Sequence, residues 1–184
     1  KRVQLAACYR LAAHFRWTDL IFTHISARAH AVEEHFLLNP FGLLFEEVTA
    51  SNLIKVDLDG NLLDETKSEM HQAGFVIHSA IHGARPDVDC VIHTHTAAGM
   101  AVAAQKAGLL PLSQHAQLFY ERVAYHDYEG LAVDVTERER LVKDLGDKPV
   151  MILRNHGLLA AGRSIPEAFS LMFNLQMACE AQIA

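Results

Sequence analysis

Apolar positions first recur with a helical period. Leu5, Tyr9 and Ala12/Ala13 share one face over residues 3–15, which predicts an amphipathic helix. From 20 to 28 the period shortens to two, through Ile21, Thr23 and Ile25, so a strand is expected there and a second over 35–38. Asn39, Pro40, Phe41 and Gly42 read as a turn. Residues 53–58 and 61–63 flank Asp59-Gly60, a pair suited to the positive φ of a tight hairpin. Met70, Ala73, Ile77 and Ala80/Ile81 predict a helix over 69–82, with Pro86 beyond its end. A buried strand over 88–93 and a small-residue helix over 97–107 follow, whereas 116–125 fits neither period. Thr136 and Glu139 form a capping box for a helix ending near Gly146. Strands are expected over 150–154 and 157–161. Ser164 and Glu167 then cap a last helix, with Ala168, Leu171, Leu175 and Ala178 facing inward.

This order is not a regular strand–helix alternation, so a doubly wound parallel sheet is not expected. A mixed sheet with helices on its faces fits it. With no repeat, linker or low-complexity stretch, and 184 residues to fill, residues 1–184 are expected to form a single domain. A hydrophobic content of 51% belongs to a packed globular chain rather than a disordered one. The net charge of −6 argues against a nucleic-acid partner. No apolar run approaches the ~18 residues of a membrane span, and no signal-peptide pattern follows Lys1. Cys8, Cys90 and Cys179 are odd in number and embedded in apolar stretches, as in a reduced, cytoplasmic protein.

Histidine changes the picture. There are twelve, several in patterned places. His93 and His95 stand two apart at the end of an apolar strand, so both imidazoles project to one face with Thr94 opposed. Two neutral imidazoles on a rigid strand are half of a tetrahedral zinc site. His156, in Asn155-His156-Gly157 between two strand-like runs, is the best third ligand, with Gly157 allowing a close turn. His71, His78 and His82 lie on one face of the helix over 69–82. His71 and His82 are expected to be a half-exposed polar stripe, and His78 to orient a ligand. Nucleophile elbow, H-E-x-x-H, P-loop and dinucleotide fingerprints are absent.

In this context segments 23–28, 39–52, 72–82, 84–95, 123–128 and 153–157 resemble, in order, the class II aldolase/adducin family, especially the adducin head domain and its bacterial relatives. The resemblance implies a three-layer α/β/α fold around a mixed, mostly antiparallel sheet. It also implies a homo-oligomer, commonly a tetramer, with the metal near a subunit boundary. The family's sugar-phosphate aldolases and epimerases use zinc to polarise a carbonyl and stabilise an enediolate. His93, His95 and His156 match its metal motif. Its departures are informative: the acid/base glutamate falls on Gly74, and its phosphate-gripping pairs fall on Thr23-His24, Phe41-Gly42 and Gln72-Ala73. A tyrosine lent by a neighbouring subunit falls near His115.

The expected function is therefore that of a metal-dependent aldolase/epimerase-like lyase. Zinc, or another divalent ion, acts on a small hydroxy-carbonyl compound without a phosphate. His115 or His24 stands in for the lost carboxylate, and His78, Asn155, Gly42 and Thr23 orient ligands or touch substrate. The alternative is a non-catalytic, adducin-like oligomeric scaffold.

Overall fold

The computed structural model describes residues 1–29, 34–65, 68–70, 72–130 and 137–184, and only the backbone of Gln72 and Ala73. Among them are six helices: α1 (Arg2–His14), α2 (Gln72–Ala84), α3 (Ala97–Ala103), α4 (Gln114–Gln117), α5 (Glu137–Leu145) and α6 (Ile165–Ile183). Seven strands, β1 (His24–Arg28), β2 (His35–Leu38), β3 (Ile54–Asp57), β4 (Cys90–Thr94), β5 (Val123–His126), β6 (Val150–Leu153) and β7 (Gly157–Gly162), form one sheet in the order β3-β2-β1-β4-β7-β6-β5. Every neighbouring pair is antiparallel except β5 and β6. The architecture is the mixed, mostly antiparallel α/β/α sandwich that the resemblance implied.

The two faces are separate cores. On one, Leu5 and Cys8 of α1, Val102 of α3, and Ala168, Met172 and Leu175 of α6 pack on Ile25, Ile92, Ile152 and Leu158. On the other, Ile77 and Ile81 of α2 and Leu141 and Leu145 of α5 cover Val91, Met151 and Leu159. Each fully buried Leu or Ile contributes about 1.5–3 kcal/mol.

Strand β1 is buried throughout yet alternates. Ile25 and Ala27 enter the first core, while Ser26 and Arg28 turn their polar ends to α2. Arg28 spends its guanidinium on the carbonyls of His82, Arg85 (3.1 Å) and Val88 (2.9 Å), at and just beyond the end of α2. Tyr9 of α1 pins the start of β1 from the opposite side, its hydroxyl accepting the N–H groups of Ile25 (2.9 Å) and Asn39 (3.2 Å).

Several boundaries differ from the sequence reading. The first strand begins at His24 rather than at 20, because Leu20 is left-handed (φ 49°) and the Phe22 amide closes a turn on Asp19 at 2.9 Å. The helix expected from 69 begins at Gln72, since the Glu69 carbonyl is tied to the Phe41 amide (2.8 Å). The helix expected over 97–107 ends at Ala103, passing into turns closed at Gln105 and Gly108. Residues 116–125 resolve into the end of α4 and the start of β5. The hairpin after β3 closes through a single Val56–Leu62 bridge. Ser164 caps α6 at the Glu167 amide (3.2 Å), but the Glu167 carboxylate returns to the Arg163 amide (2.7 Å) instead of completing the expected box. His71 and Thr136 lie outside the described residues.

Candidate metal centre

The sheet's middle carries the site. Strand β4 lies between β1 and β7, with His93 paired to His24 on one side and to Leu159 on the other. His93 is buried, and its Nδ1 lies 3.0 Å from the Leu158 carbonyl. Thr94 points the other way, towards Met172 of α6. His95 follows the strand end, with Nδ1 3.0 Å from an Asp19 carboxylate oxygen. His156 comes from the turn between β6 and β7. There Asn155 adopts a left-handed conformation (φ 56°), one that Asn tolerates better than most residues. Gly157 is needed for close approach, since a Cβ there would collide with the Thr94 carbonyl. One ligand-capable atom from each of His93, His95 and His156 falls within 4.8 Å of the others.

Hydrogen-bond chemistry fixes how these rings present themselves. A carbonyl and a carboxylate accept only, so both Nδ1 atoms carry the proton. Both Nε2 atoms are then bare lone pairs, and they face each other at 2.8 Å. That contact is repulsive unless the two lone pairs share a proton or a metal ion. Burial, then the neighbouring imidazoles, holds His93 well below the ordinary histidine range. Burial, then His95 and His126, lowers His156 to about 4. Neutral imidazoles are the form a metal ion needs. The donor set therefore fits a divalent ion, and zinc accepts it.

The other expected residues divide. His24 is buried, its ring stacked on His93 with centroids 6.3 Å apart and edge-on to His78 at 5.9 Å. Gly74 lies directly under it: a Cβ at 74 would sit 2.6 Å from His24 Cδ2. His78 does not supply the Nδ1 bond of either His93 or His95. Its own Nδ1 is 2.6 Å from Ser26 Oγ, which also lies 2.8 Å from His82 Nε2. His82 is buried against Phe36 rather than half-exposed, because this helix face lies on the polar row of β1. Thr23 is fully buried, and its hydroxyl has no hydrogen-bond partner among the described residues. Gly42 takes a positive φ (87°) with open space around it, beside the exposed Phe41. Asn155 is exposed and shapes the turn through its backbone. His115 is half-buried on α4, outside the group of three.

Sequence reasoning missed Asp19, which sits in an irregular loop with no spacing to betray it. It also gave no role to His126, which is buried between Asp144 (Nδ1, 2.8 Å) and Glu137 (Nε2, 3.5 Å) and lines a crevice with His156. Its place at an apolar strand end was the available signal.

Comparison with known proteins extends the likeness over the whole chain. Residues 3–183 match the Class II Aldolase and Adducin N-terminal domain. The crystal structure of an aldolase II superfamily protein from Pseudomonas syringae superposes with a TM-score of 0.96 at 62% identity, over 99% of this chain and 74% of that one. L-fuculose 1-phosphate aldolase from Glaciozyma antarctica PI12 superposes with a TM-score of 0.89 at 31% identity, over 99% of this chain and 71% of that one. Alpha-adducin of Rattus norvegicus is 53% identical over 99% of this chain, which spans 25% of adducin's length. By sequence and by fold, this chain belongs to the class II aldolase and adducin family.

Proposed function

We propose that this chain binds one divalent ion, zinc, through His93, His95 and His156 and serves as an aldolase- or epimerase-like lyase for a small hydroxy-carbonyl compound lacking a phosphate. The observation that carries the reading is the pair of bare Nε2 atoms facing each other at 2.8 Å, an arrangement that a cation relieves. Likeness to an L-fuculose 1-phosphate aldolase supports the reaction class. The ion supplies Lewis-acid polarisation of the substrate carbonyl.

The chain's own residues do the rest. His24 takes the space over Gly74, where the family's acid/base glutamate would project, and is the group placed to carry a proton beside His93. Its neighbours on that wall are themselves buried imidazoles, and burial lowers His78 to about 3, so His78 stays neutral and does not compete for the proton. Exposed Phe41 beside Gly42 offers no hydrogen bond to a phosphate, which favours an unphosphorylated substrate. His115 lies outside the group of three, and its match to a tyrosine lent by a neighbouring subunit in the family supports a part for it across a subunit boundary, as in a homotetramer. Three buried, unpaired cysteines accord with a reducing, cytoplasmic setting. No helix among the described residues is long and apolar enough to cross a membrane.

Likeness to alpha-adducin supports a second reading, an oligomeric protein-interaction domain without catalysis. Elemental mass spectrometry of the purified protein, beside His93→Ala and the less buried His156→Ala, separates the two. About one zinc per chain, lost in both variants while circular dichroism is unchanged, supports the enzyme and directs a screen of hydroxy-aldehydes and hydroxy-ketones for retro-aldol cleavage or epimerisation. Absence of zinc, even with excess supplied, removes the metal reading and leaves the scaffold.

A further inference from the structure

The two Nδ1 atoms that set the ligand tautomers are held in different ways. His93 bonds the backbone of β7, deep in the sheet. His95 bonds a side chain on the α1–β1 loop, where Asp19 is 43% exposed and His95 14%. That loop is built rather than slack. It leaves α1 through Arg16 in a left-handed conformation (φ 59°), and the Trp17 amide returns to the Ala12 carbonyl at 2.9 Å. Trp17 is buried, its ring 5.3 Å from Phe15 and 5.3 Å from Phe169 of α6. A second left-handed residue, Leu20 (φ 49°), follows Asp19, and the Phe22 amide closes on the Asp19 carbonyl. Two non-glycine residues at positive φ within five positions cost free energy that the surrounding packing must offset. What they hold in place is one carboxylate against one ligand.

We propose that Asp19 is a positioning residue of the metal centre. Its carboxylate fixes the Nδ1–H tautomer of His95, aims Nε2 at the ion and makes that nitrogen a stronger donor, as carboxylate partners of metal-bound imidazoles do. Asp19 thus sets metal affinity from the rim of the site. The inference rests on the metal reading above. A surface ion pair of no further consequence is the competing description, and such pairs contribute little.

The test is zinc affinity, by competition with a chromophoric chelator, for wild type, Asp19→Ala and Asp19→Asn, with the thermal midpoint of each metal-free protein alongside. Asp19→Ala is expected to weaken zinc binding by about 10–100-fold with the metal-free midpoint little changed. Asp19→Asn keeps an acceptor oxygen and recovers part of the loss. Wild-type affinity in Asp19→Ala overturns the inference while leaving the metal site standing. A loss matched by a collapse of the metal-free midpoint overturns it too, since Asp19 would then be structural. A wild-type protein that binds no zinc removes the inference together with the reading beneath it.

Discussion

His24 and Gly74 occupy one volume between them. With His24 ring atoms 2.6–2.8 Å from where a Cβ at 74 would stand, any side chain at 74 must evict the imidazole from its place beside His93. Position 74 on α2 and His24 on β1 are thus sterically coupled. Gly74→Ala is expected to destabilise the fold by about 1–3 kcal/mol through overpacking. The cost should largely vanish in a His24→Ala background, giving a coupling energy measurable by urea unfolding of the double-mutant cycle. Additive effects would show that the ring moves freely. At this scale the grouping of His93, His95 and His156 was legible because strand alternation and a tight turn at Gly157 are local properties. Asp19 was not, because a carboxylate in an irregular loop has no period. His82 was misread because helical spacing shows which residues share a face and not what that face meets. Here it meets Ser26 and the aromatic ring of Phe36.

Helix α2 is held at its C-terminal end by a residue of another element. Arg28 reaches the carbonyls of His82, Arg85 and Val88, and it is itself buried. Arg28→Met keeps much of the apolar stem and removes the donors, so the His82 and Val88 carbonyls lose the guanidinium while the Arg85 carbonyl keeps only the Val88 amide. A loss of about 2–4 kcal/mol is expected. It should come with faster amide hydrogen exchange confined to the last turn of α2, residues 79–84. Exchange spread evenly over the molecule would show that the guanidinium acts on global packing instead. Element types were readable where periodicity was long, as in α1 and α6. Ends were less so, because they are set by single bonds, to a distant partner or within an irregular turn, that leave no period. Glu69 delays α2 by bonding Phe41, and Asp19 delays β1 by closing a turn on Phe22. The short α4 and β5 fell in a stretch too brief for either period to declare itself.

For the molecule as a whole, burying imidazoles uncharged links stability to pH. His78 is lowered to about 3 by burial, and His82 shifts in the same direction. As pH falls below 6.5 the unfolded chain takes up protons that the native state refuses until about 3. Native stability is therefore full above pH 6.5. It declines by roughly 1.4 kcal/mol per pH unit for each such group on the way down. With metal chelated, the urea midpoint should fall steeply below pH 6, and more shallowly in His78→Leu; equal slopes would show that other groups govern acid unfolding. Strand neighbours were the least legible feature from local pattern alone, since alternation marks a strand without naming its partners. The resemblance implied a mostly antiparallel sheet but not the order of its strands. The pairing of β4 with β7 has one further effect. The carbonyl that orients His93 lies 65 residues further along the chain, and His156 stands at the turn that begins β7. During synthesis, which proceeds from the N-terminus at about 5–20 residues per second, His93 and His95 leave the ribosome seconds before their third companion exists. Nascent chains therefore carry His93 and His95 before His156 can join them, and the group of three is complete only after β7 has found its place beside β4.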